Sequence, residues 1–411
     1  MRVDRAQGGP EPTRRRPLVV VAVLALLGTA ACGPGPAASP GGATPTPAPP
    51  LSPFQGSLTT VALPAGIQAL RGVDCPSATR CWAVGTSVGT ARSPASGAVL
   101  TTTTGGASWT VQQIPASIGH LAAIACPTTR SCTAVGQTGT DATGTGAVLT
   151  TDTAGASWAL QSVPVGTTDV TAVACPSAGT CAALADVAGV VTTLAAGAPG
   201  APWVARGALA TTVATATGLT CTDARDCWAT TLSPVDVGHV GGGIAATADG
   251  GATWTAQTVP AATGALEGID CAPPASGGPS TTTTATPTAH VDCTAVGTTS
   301  TATGAPRTGQ GLVLTTTTGG ASWTHVDVTV TSAALLAVSC GAGPCVAVGS
   351  TVASAPQAGL VVLSGSTEAG SSGWSRAAVA GVPLPLAGVS CRSLASCVVV
   401  GESVSAHLVA G

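Results

Sequence analysis

The residue type with the clearest chemistry in this chain is cysteine. Of its 15 cysteines, fourteen form seven close pairs; five pairs enclose five residues, one encloses four, and one is stretched by an insertion. The pairs are Cys75/Cys81, Cys126/Cys132, Cys175/Cys181, Cys221/Cys227, Cys271/Cys293, Cys340/Cys345 and Cys391/Cys397. A strand, a short turn and a second strand place two sulfurs opposite each other, so we predict seven structural disulfides.

Other cysteine chemistries fit this spacing less well. Zinc would need two converging pairs or nearby histidines, and the pairs lie in separate repeats. Redox C-x-x-C spacing is absent from the sequence. Each short disulfide contributes about 2 to 2.5 kcal/mol at best on the chain-entropy model. We therefore expect neither a metal nor a cofactor.

The fifteenth cysteine, Cys32, ends an N-terminal segment with the features of an export signal. Arginines at 14–16 precede the apolar run 18–27, and Gly-Thr-Ala-Ala leads to Cys32. This run is too short for a stable membrane span. The Ala-Ala-Cys ending resembles a bacterial lipobox, in which the cysteine is diacylated and becomes the mature N-terminus. We predict lipidation at Cys32, with a free or intermolecular thiol, or simple secretion, as the alternatives.

The elements that must position the cysteine pairs are short strands. Aligned on the first cysteine of each pair, the sequence shows seven repeats with a step near fifty residues. In each repeat we expect a first strand that ends at one cysteine and a second strand that opens on the other. Alternating or β-branched runs separated by Gly, Pro and Ser are typical of strands, and four strands in about 40 to 50 residues are the signature of a β-propeller blade. We predict an all-β, seven-bladed propeller with four-stranded blades.

The two ends of the repeat region complement each other. Pro64 stands eleven residues before Cys75, as prolines do before cysteines in three later repeats, so 57–63 reads as a fourth strand. The last repeat carries a cysteine pair and a third-strand candidate at 406–409. We predict that the N-terminal strand pairs with the C-terminal blade and closes the ring, which removes exposed sheet edges.

One motif carries a family resemblance. Residues 247–254, T-A-D-G-G-A-T-W, match the Asp box S/T-x-D-x-G-x-T-W of bacterial neuraminidase repeats, found in sialidases and many unrelated propellers. Three further repeats resemble it with Thr in the Asp position or with Asp moved to 152. The box residues are Asp249, Gly251, Trp254, Gly106, Trp109, Gly155, Trp158, Gly320 and Trp323. Photosystem assembly-factor propellers carry similar repeats. The resemblance implies a turn held by side-chain hydrogen bonds, and it marks fold rather than activity.

Sialidase activity would require a particular residue set. The resemblance implies a Tyr nucleophile with a Glu partner, an Asp acid/base and three Arg, and this chain has no Tyr. Retaining hydrolysis by two carboxylates would need a pair about 5 Å apart, and no recurring acidic pair suggests one. We expect no catalytic residues, and keep a glycoside hydrolase with an atypical site as the alternative.

A functional face would lie on loops opposite the box turns. Connections between second and third strands and between blades carry the binding candidates Arg92, His120, Asp236, His239 and Arg307. Each of these is also interpretable as a solvated loop residue. The tryptophans all occupy repeat positions, which disfavours an aromatic lectin platform.

Composition bounds location and partners. Losing residues 1–32 removes five arginines and two acids, so the net charge moves from −3 to −6. With no basic stripe, nucleic acid is not an expected partner. The bias toward Ala, Gly, Thr and Val fits a GC-rich, for example actinobacterial, genome.

We therefore expect three segments and a role outside the cytoplasm. The segments are a signal peptide at 1–32, a Pro/Ala/Gly-rich disordered linker at 33–53, and a propeller at 54–411 with a Thr/Pro-rich insertion at 272–291. We predict a monomeric, non-enzymatic binding or scaffold module, lipid-anchored on the outer face of the cytoplasmic membrane or secreted. The expected partner is an envelope protein or glycan, and contact with the membrane is expected only through the lipid.

Overall fold

The regular elements of the described residues are all β-strands. The computed structural model describes residues 22–24, 56–89, 95–139, 144–196, 200–236, 239–261, 263–272, 291–299, 310–326, 328, 333–341, 345–351, 358–364, 374–376, 384–393, 396–402 and 404–410. These ranges contain 29 strands. Cys32, the linker at 33–53 and positions 273–290 of the insertion lie outside the described residues.

The strands follow one another in groups of four after two N-terminal strands. They are β1 (Ala22–Leu24), β2 (Gly56–Val61), β3 (Ile67–Asp74), β4 (Cys81–Ser87), β5 (Gly97–Thr102), β6 (Thr110–Val111), β7 (Ile118–Ala125), β8 (Cys132–Thr138), β9 (Gly146–Thr151), β10 (Ala159–Leu160), β11 (Thr167–Ser177), β12 (Thr180–Val187), β13 (Val190–Ala196), β14 (Val204–Ala208) and β15 (Thr215–Cys221). The rest are β16 (Cys227–Asp236), β17 (His239–Thr247), β18 (Thr255–Gln257), β19 (Thr263–Ala272), β20 (Asp292–Thr299), β21 (Gly311–Thr316), β22 (Thr324–Val326), β23 (Ala333–Ser339), β24 (Val346–Thr351), β25 (Gly359–Ser364), β26 (Trp374–Arg376), β27 (Leu386–Ser393), β28 (Ser396–Gly401) and β29 (Val404–Ala410).

Six blades have the predicted four antiparallel strands in chain order. They are β3–β6, β7–β10, β11–β14, β15–β18, β19–β22 and β23–β26, named here the first to the sixth blade. In each, the first strand pairs with the second, the second with the third and the third with the fourth. Short, β-branched runs ending at glycine-rich turns favour such meanders over helices.

The prediction of seven four-stranded blades is wrong. The structure has six such blades, and the remaining sheet has five strands, because β1 and β2 join β27, β28 and β29. We call it the terminal sheet. Its β1 falls within the segment that the sequence assigns to an export signal, so the repeat pattern, which starts later, could not include it.

The expectation that every second strand opens on its cysteine is also wrong. It holds for β4, β8 and β16, but β12, β20 and β28 begin one residue earlier, so Cys181, Cys293 and Cys397 are their second residues. In the terminal sheet this happens because Ser396 still pairs with Ser393, beyond the disulfide.

The sixth blade departs from the expected strand start in the opposite direction. Cys345 precedes β24, which begins at Val346. The last strand pair on this side is Ser339 with Val346, so the ladder stops before Cys340 and Cys345. Their separation is 5 residues, against 6 in five of the other pairs, and the shorter connection closes directly at the cysteines.

The N-terminal strand pairs with the C-terminal sheet as the sequence spacing predicts. β2 runs antiparallel to β29, with Leu58 opposite Leu408 and Val61 opposite Ser405. β27 contacts both the sixth blade and β3 of the first blade. The strand edge that β29 would otherwise expose is thereby paired within the chain.

The core lies between neighbouring sheets rather than in one central mass. Trp82, Val84 and Val99 of the first blade pack with Ile118 and Leu121 of the second, and comparable clusters form at other junctions. Because each blade is covered on both faces, second strands read as continuous apolar runs; β4 and β8 are both buried over their first five residues. Burial of one such large side chain stabilises the fold by about 1.5 to 3 kcal/mol.

The recurring Val-Gly pair has a steric cause. A Cβ added at Gly85 would collide with the carbonyl oxygen of Ala69, and one at Gly297 would collide with that of Ala265. In the first blade the pairing of the first strand with the second is irregular here, with register shifts between Ile67 and Ala69 and between Leu70 and Gly72. Only glycine allows this close backbone approach.

Candidate functional site

The propeller presents two different faces. On one face, loops after the second strands lie beside the starts of the first strands, because the amide of Val88 donates to the carbonyl of Gly66 at 2.7 Å. We call this the loop face. On the opposite face, the cysteine turns contact the box turns, as when the amide of Gly105 donates to the carbonyl of Thr79 at 2.7 Å. We call this the disulfide face.

All seven predicted disulfides are present, with Cα atoms 4.0 to 4.1 Å apart. They join Cys75 to Cys81, Cys126 to Cys132, Cys175 to Cys181, Cys221 to Cys227, Cys271 to Cys293, Cys340 to Cys345 and Cys391 to Cys397. Each lies where the first and second strands of one sheet meet. The different strand starts at Cys345 and Cys397 therefore leave their disulfides intact.

The cysteines have a structural role in this fold. The insertion of the fifth blade lies inside the Cys271–Cys293 loop, with a separation of 22. Every other pair closes a loop with a separation of 5 or 6. Their number fits an extracellular protein, since disulfides persist in oxidising compartments.

The box turns are held by the side-chain bonds that the motif predicts. The carboxylate of Asp249 accepts the amide of Thr253 at 2.9 Å and its hydroxyl at 2.6 Å, while the amide of Gly251 donates to the hydroxyl of Thr247 at 3.0 Å. These hydrogen bonds to Thr253 lower the pKa of Asp249 to about 2. The four box glycines have positive φ; they are Gly106, Gly155, Gly251 and Gly320.

In the box turn of the second blade, Thr153 and not Asp152 occupies the place that Asp249 has in the fourth blade. The hydroxyl of Thr153 accepts the amide of Ser157 at 3.0 Å, so Thr153 takes the role that Asp249 has in the fourth blade. Asp152 does not make this bond. In the first and fifth blades, Thr104 and Thr318 act in the same way, as the sequence alignment predicts.

Box tryptophans link each blade to the preceding one. The indole N–H of Trp254 donates to the hydroxyl of Thr193 in the third blade at 2.7 Å. That of Trp323 donates to the amide oxygen of Gln257 in the fourth blade at 2.7 Å. Trp109 and Trp158 are also buried. The box residues thus have a structural role, both within their own turn and in the contact with the preceding blade.

A second set of links was missed by the sequence analysis. The residue before the first cysteine of one sheet accepts the amide of the first cysteine in the next sheet. The acceptors are Asp74 to Cys126 (2.6 Å), Thr220 to Cys271 (3.4 Å), Asp270 to Cys340 (2.7 Å), Ser339 to Cys391 (3.1 Å) and Ser390 to Cys75 (3.0 Å). The signal was present as a polar residue before cysteine in these repeats; Ala125 and Ala174 occupy the position in the other two.

Two of these acceptors have unusual acidity. Burial raises the pKa of Asp74 to about 6, opposed by the amides of Cys126 and Cys75. Burial likewise raises the pKa of Asp270 to about 6, opposed by the amides of Cys340 and Cys271 and reinforced by the charge of Asp74. Perturbed carboxyls are often functional. Here their oxygens are occupied by main-chain donors of the next sheet, which gives them a linking role.

On the loop face, one predicted residue takes part in a cluster of polar side chains. His120 Nε2 lies 3.6 Å from Asp169 Oδ1, and both side chains are about one-third exposed, at 31% and 34%. Thr168 donates to Asp186 Oδ1 at 3.0 Å, and Gln137 Nε2 donates to the carbonyl of Thr168 at 3.1 Å. We call these five residues the rim cluster. It bridges the second and third blades.

Charge and burial define what the rim cluster can do. Burial raises the pKa of Asp169; the charge of His120 opposes this shift, and that of Asp186 adds to it. Asp169 Oδ1 accepts the amide of Val170 at 2.8 Å, and Asp186 Oδ1 that of Gly189 at 2.9 Å. The cluster therefore presents two main-chain-oriented carboxyls beside an imidazole, an arrangement suited to binding hydrogen-bond donors or a cation.

The sequence found only one member of this cluster. His120 and Asp169 each directly precede a fully buried apolar residue of their first strands, Leu121 and Val170. Equivalent positions in adjacent repeats become spatial neighbours in a propeller, and this rule was the available signal. Gln137, Thr168 and Asp186 carry no comparable pattern.

Two of the other four binding candidates lie on the loop face. Asp236 and His239 lie opposite each other where β16 and β17 meet, on the loop face, and only their backbone is described. Arg92 and Arg307, like the lipidation candidate Cys32, lie outside the described residues. Within the described ranges, no three His, Cys, Asp or Glu residues are grouped to hold a metal ion. None of the described segments is a helix long and apolar enough to cross a membrane.

These elements define the chain as an all-β β-propeller. Among solved structures, it is similar to YCF48 bound to D1 peptide (TM-score 0.56, 12% identity, 88% of this chain and 99% of that chain). It is also similar to a streptogramin B lyase (TM-score 0.56, 9% identity, 87% and 98%). A third similar structure is a GH74 enzyme of Niastella koreensis (TM-score 0.53, 11% identity), with 87% of this chain matching 55% of that one.

These likenesses show the fold alone. No protein-family model and no curated protein matches the sequence. The structural neighbours include a peptide-bound propeller as well as a hydrolase and a lyase, so the propeller part of the sequence resemblance is confirmed. Its sialidase-specific part stays a prediction.

Proposed function

We propose that this chain is an exported, lipid-anchored β-propeller that acts as a non-enzymatic binding module at the cell envelope. The observation that carries the proposal is the rim cluster, in which His120, Asp169 and Asp186 lie together on the loop face between two blades. A partly exposed, pre-oriented set of polar groups on a rigid scaffold is typical of a recognition surface. The structural neighbour YCF48 bound to D1 peptide supports the proposal, because it is a propeller that holds a peptide.

The hydrogen bonds of the two carboxyls with a raised pKa support a binding role over a catalytic one. A general acid needs its raised pKa and access to the substrate. Asp74 and Asp270 have the raised pKa, but their carboxyls accept amides of neighbouring sheets. We assign them to the cohesion of the propeller.

Capture of an envelope partner tests the proposal. The full chain and its Asp186→Asn and His120→Ala variants would each be used as bait on detergent extracts of the envelope, with quantitative mass spectrometry as readout. We expect one set of partners to be reduced at least tenfold by both variants. Asp292→Asn, an exposed acid at the start of β20, is the matched control and should leave capture unchanged. Equal capture by all four proteins would contradict the proposal that partners bind at the rim cluster on the loop face.

The lipid anchor is tested separately. Metabolic labelling with a palmitate analogue should label the native chain and leave Cys32→Ala unlabelled, and the variant should be released from the membrane fraction. Label retained by the variant would show that Cys32 is not the lipidated residue.

A glycoside hydrolase is the second candidate, because one structural neighbour is a GH74 enzyme and because Asp74 and Asp270 have the raised pKa that a general acid needs. A panel of fluorogenic glycosides and xyloglucan oligosaccharides separates the two functions. Turnover that is lost in Asp74→Asn or Asp270→Asn, with the fold retained, would favour the hydrolase. We expect no turnover above the substrate blank.

A further inference from the structure

A cavity of about 310 Å³ lies on the disulfide face, in the groove between the second and third blades. Its lining includes Thr133, Gln161, Trp158 and Trp203, together with Gly200 of the third blade. The cavity is separate from the rim cluster, which is on the loop face. Its volume is within the range of small-molecule sites, about 300 to 1,000 Å³.

The equivalent grooves at two other junctions are filled by an indole. Trp82 directly follows the second cysteine of the first blade and is fully buried against the second blade. A Cβ added at Gly155, in the box turn of the second blade, would lie 3.2 Å from Trp82 Nε1. Trp228 has the same place in the fourth blade, and its indole N–H donates to the carbonyl of Gly319 at 2.9 Å.

At the junction of the second and third blades, the indole is replaced by a small side chain. The residue after the second cysteine is Thr133. Gly200, which corresponds to Gly155, has no heavy atom within 4 Å of an added Cβ. The space that Trp82 fills in one groove is therefore the space left open in the next.

The next junction shows the same relation between residue size and cavity. There the position is occupied by Ala182, and a cavity of about 270 Å³ is lined by Ala182 and by Gly250 of the fourth blade. This second cavity lacks tryptophan in its lining. The indole of Trp254 in that blade is already bonded to Thr193.

The walls of the first cavity suit an aromatic ligand. Trp158 and Trp203, which are 7% and 4% exposed, both line it. Aromatic rings prefer offset or edge-on aromatic neighbours.

We propose that this cavity binds an aromatic ring of indole size. The ring would take the place that Trp82 and Trp228 have in the filled grooves. It can be presented by a tryptophan of a partner peptide or by a free aromatic molecule. The inference does not depend on the rim cluster, so either proposal can fail without the other.

The indole N–H signals of the protein itself provide the measurement. The chain has 8 tryptophans, so ¹⁵N labelling gives a small set of indole resonances that Trp→Phe substitutions assign. The full chain would be titrated with N-acetyl-L-tryptophanamide, with indole, and with N-acetyl-L-leucinamide as the aliphatic control. We expect saturable shifts of Trp158 and Trp203 with Kd of about 1 mM or tighter for the aromatic probes, worth about −4 kcal/mol. Trp109 should not shift.

The Thr133→Trp substitution fills the cavity from within, as Trp82 does in the preceding groove. We expect at least a tenfold loss of affinity for the aromatic probes. Val111→Trp, on the exposed β6 strand, is the control for an added indole and should bind as the native chain does. If Thr133→Trp fails to fold, Thr133→Leu supplies a smaller filling group, for which we expect at least a threefold loss.

The outcomes are distinct. A peptide such as N-acetyl-Gly-Trp-Gly-amide that binds more tightly than indole identifies a partner side chain as the source of the ring, whereas equal affinity identifies a free aromatic molecule. Shifts spread over all tryptophans, no saturation, or native affinity in Thr133→Trp would overturn the proposal. Equal binding of the leucine probe would also overturn it, because the site would then not select aromatic rings.

Discussion

Lowering the pH from 8 to 4 should increase the contribution of Asp74 and Asp270 to conformational stability. Both groups have a folded-state pKa of about 6, against 3.8 for an unperturbed aspartate. The folded protein therefore binds these protons more tightly than the unfolded chain. By linkage, the free energy of unfolding falls as the pH rises from about 4 to about 6, and it is constant above that window as far as these groups are concerned.

The magnitude follows from the shift. About two pKa units, at about 1.36 kcal/mol for each unit, amount to roughly 3 kcal/mol for each carboxyl. Asp74→Asn keeps an oxygen that can accept the amide of Cys126 and removes the titration. The difference in unfolding free energy between this variant and the native chain should therefore become about 2 to 3 kcal/mol more favourable to the variant at pH 8 than at pH 4, because the unfolded carboxyl is only partly protonated at pH 4.

Guanidinium unfolding followed by tryptophan fluorescence, without reductant and at five pH values from 4 to 8, measures this difference. Asp270→Asn should behave in the same way, and the exposed Asp292→Asn should track the native protein at every pH. Asp74→Ala removes the acceptor, so it should be less stable than Asp74→Asn at all pH values by about 1 to 3 kcal/mol. A difference between native and Asp74→Asn that does not vary with pH would refute the assignment of a raised pKa to this carboxyl.

Two further predictions concern the cross-links and the box turn. Replacing both Cys271 and Cys293 by Ala should lower the free energy of unfolding by about 3.4 kcal/mol, and replacing Cys126 and Cys132 should lower it by about 2.4 kcal/mol. The first loss is larger because the first disulfide closes a longer loop, with a separation of 22 against 6. Denaturant midpoints of the two double variants check this order, and equal losses would contradict it. The pKa of Asp249 is about 2 in the folded protein, against 3.8 for an unperturbed aspartate. Asp249 should therefore stabilise the box turn above pH 3.8 and lose that contribution as the pH falls through about 2. Carboxyl NMR titration measures the midpoint, and a value near 4 would show that the bonds to Thr253 do not persist in solution.

The repeat architecture was predictable because its markers are local. Each cysteine pair fixes the register of a two-stranded hairpin, and each glycine-rich box ends a third strand. The seven disulfides and the meander of each blade follow directly from these spacings. The pairing of β2 with β29 was also predictable, since Pro64 stands before Cys75 at the same distance as the prolines that precede cysteines in three later repeats.

Strand ends near the cysteines were less predictable than the disulfides themselves. Cys345 lies just before its strand, and Cys397 lies one residue inside its strand, although both keep the expected partner. A disulfide fixes the distance between two Cα atoms, but it does not decide whether the residues beyond it continue the ladder. That depends on the turn, as the pairing of Ser393 with Ser396 shows.

The number and composition of the sheets were not predictable in the same way. Assignment of Ala22–Leu24 to the terminal sheet depends on a long-range pairing with β28, and a three-residue apolar run within an export-like segment carries no sign of it. Expecting seven equal blades followed from counting cysteine pairs, which mark hairpins and not complete sheets. The structure accordingly has six four-stranded blades and one five-stranded sheet.

Site residues were predictable only where the repeat itself placed them. His120 could be assigned to the loop face from its position. Its partner Asp169 comes from the next repeat, and Asp186 lies near the end of β12, before a connection whose length differs among blades. The cavity beside Thr133 is defined by the absence of an indole that Trp82 supplies elsewhere. This cavity can be recognised only when the neighbouring blades are known, and the fold supplies that information.

The pairing of the two ends of the chain in one sheet tests the account most directly. Thr60 and Ala406 are direct partners across β2 and β29. Opposed Cα atoms in antiparallel strands lie about 4.5 to 5.5 Å apart, which is within the range that a disulfide can bridge. Peptide mapping of the Thr60→Cys/Ala406→Cys variant under non-reducing conditions should recover one peptide that joins these two positions, with the seven native disulfides unchanged. Recovery of both new cysteines as free thiols in the folded protein, or cross-linked elsewhere, would contradict the closed propeller.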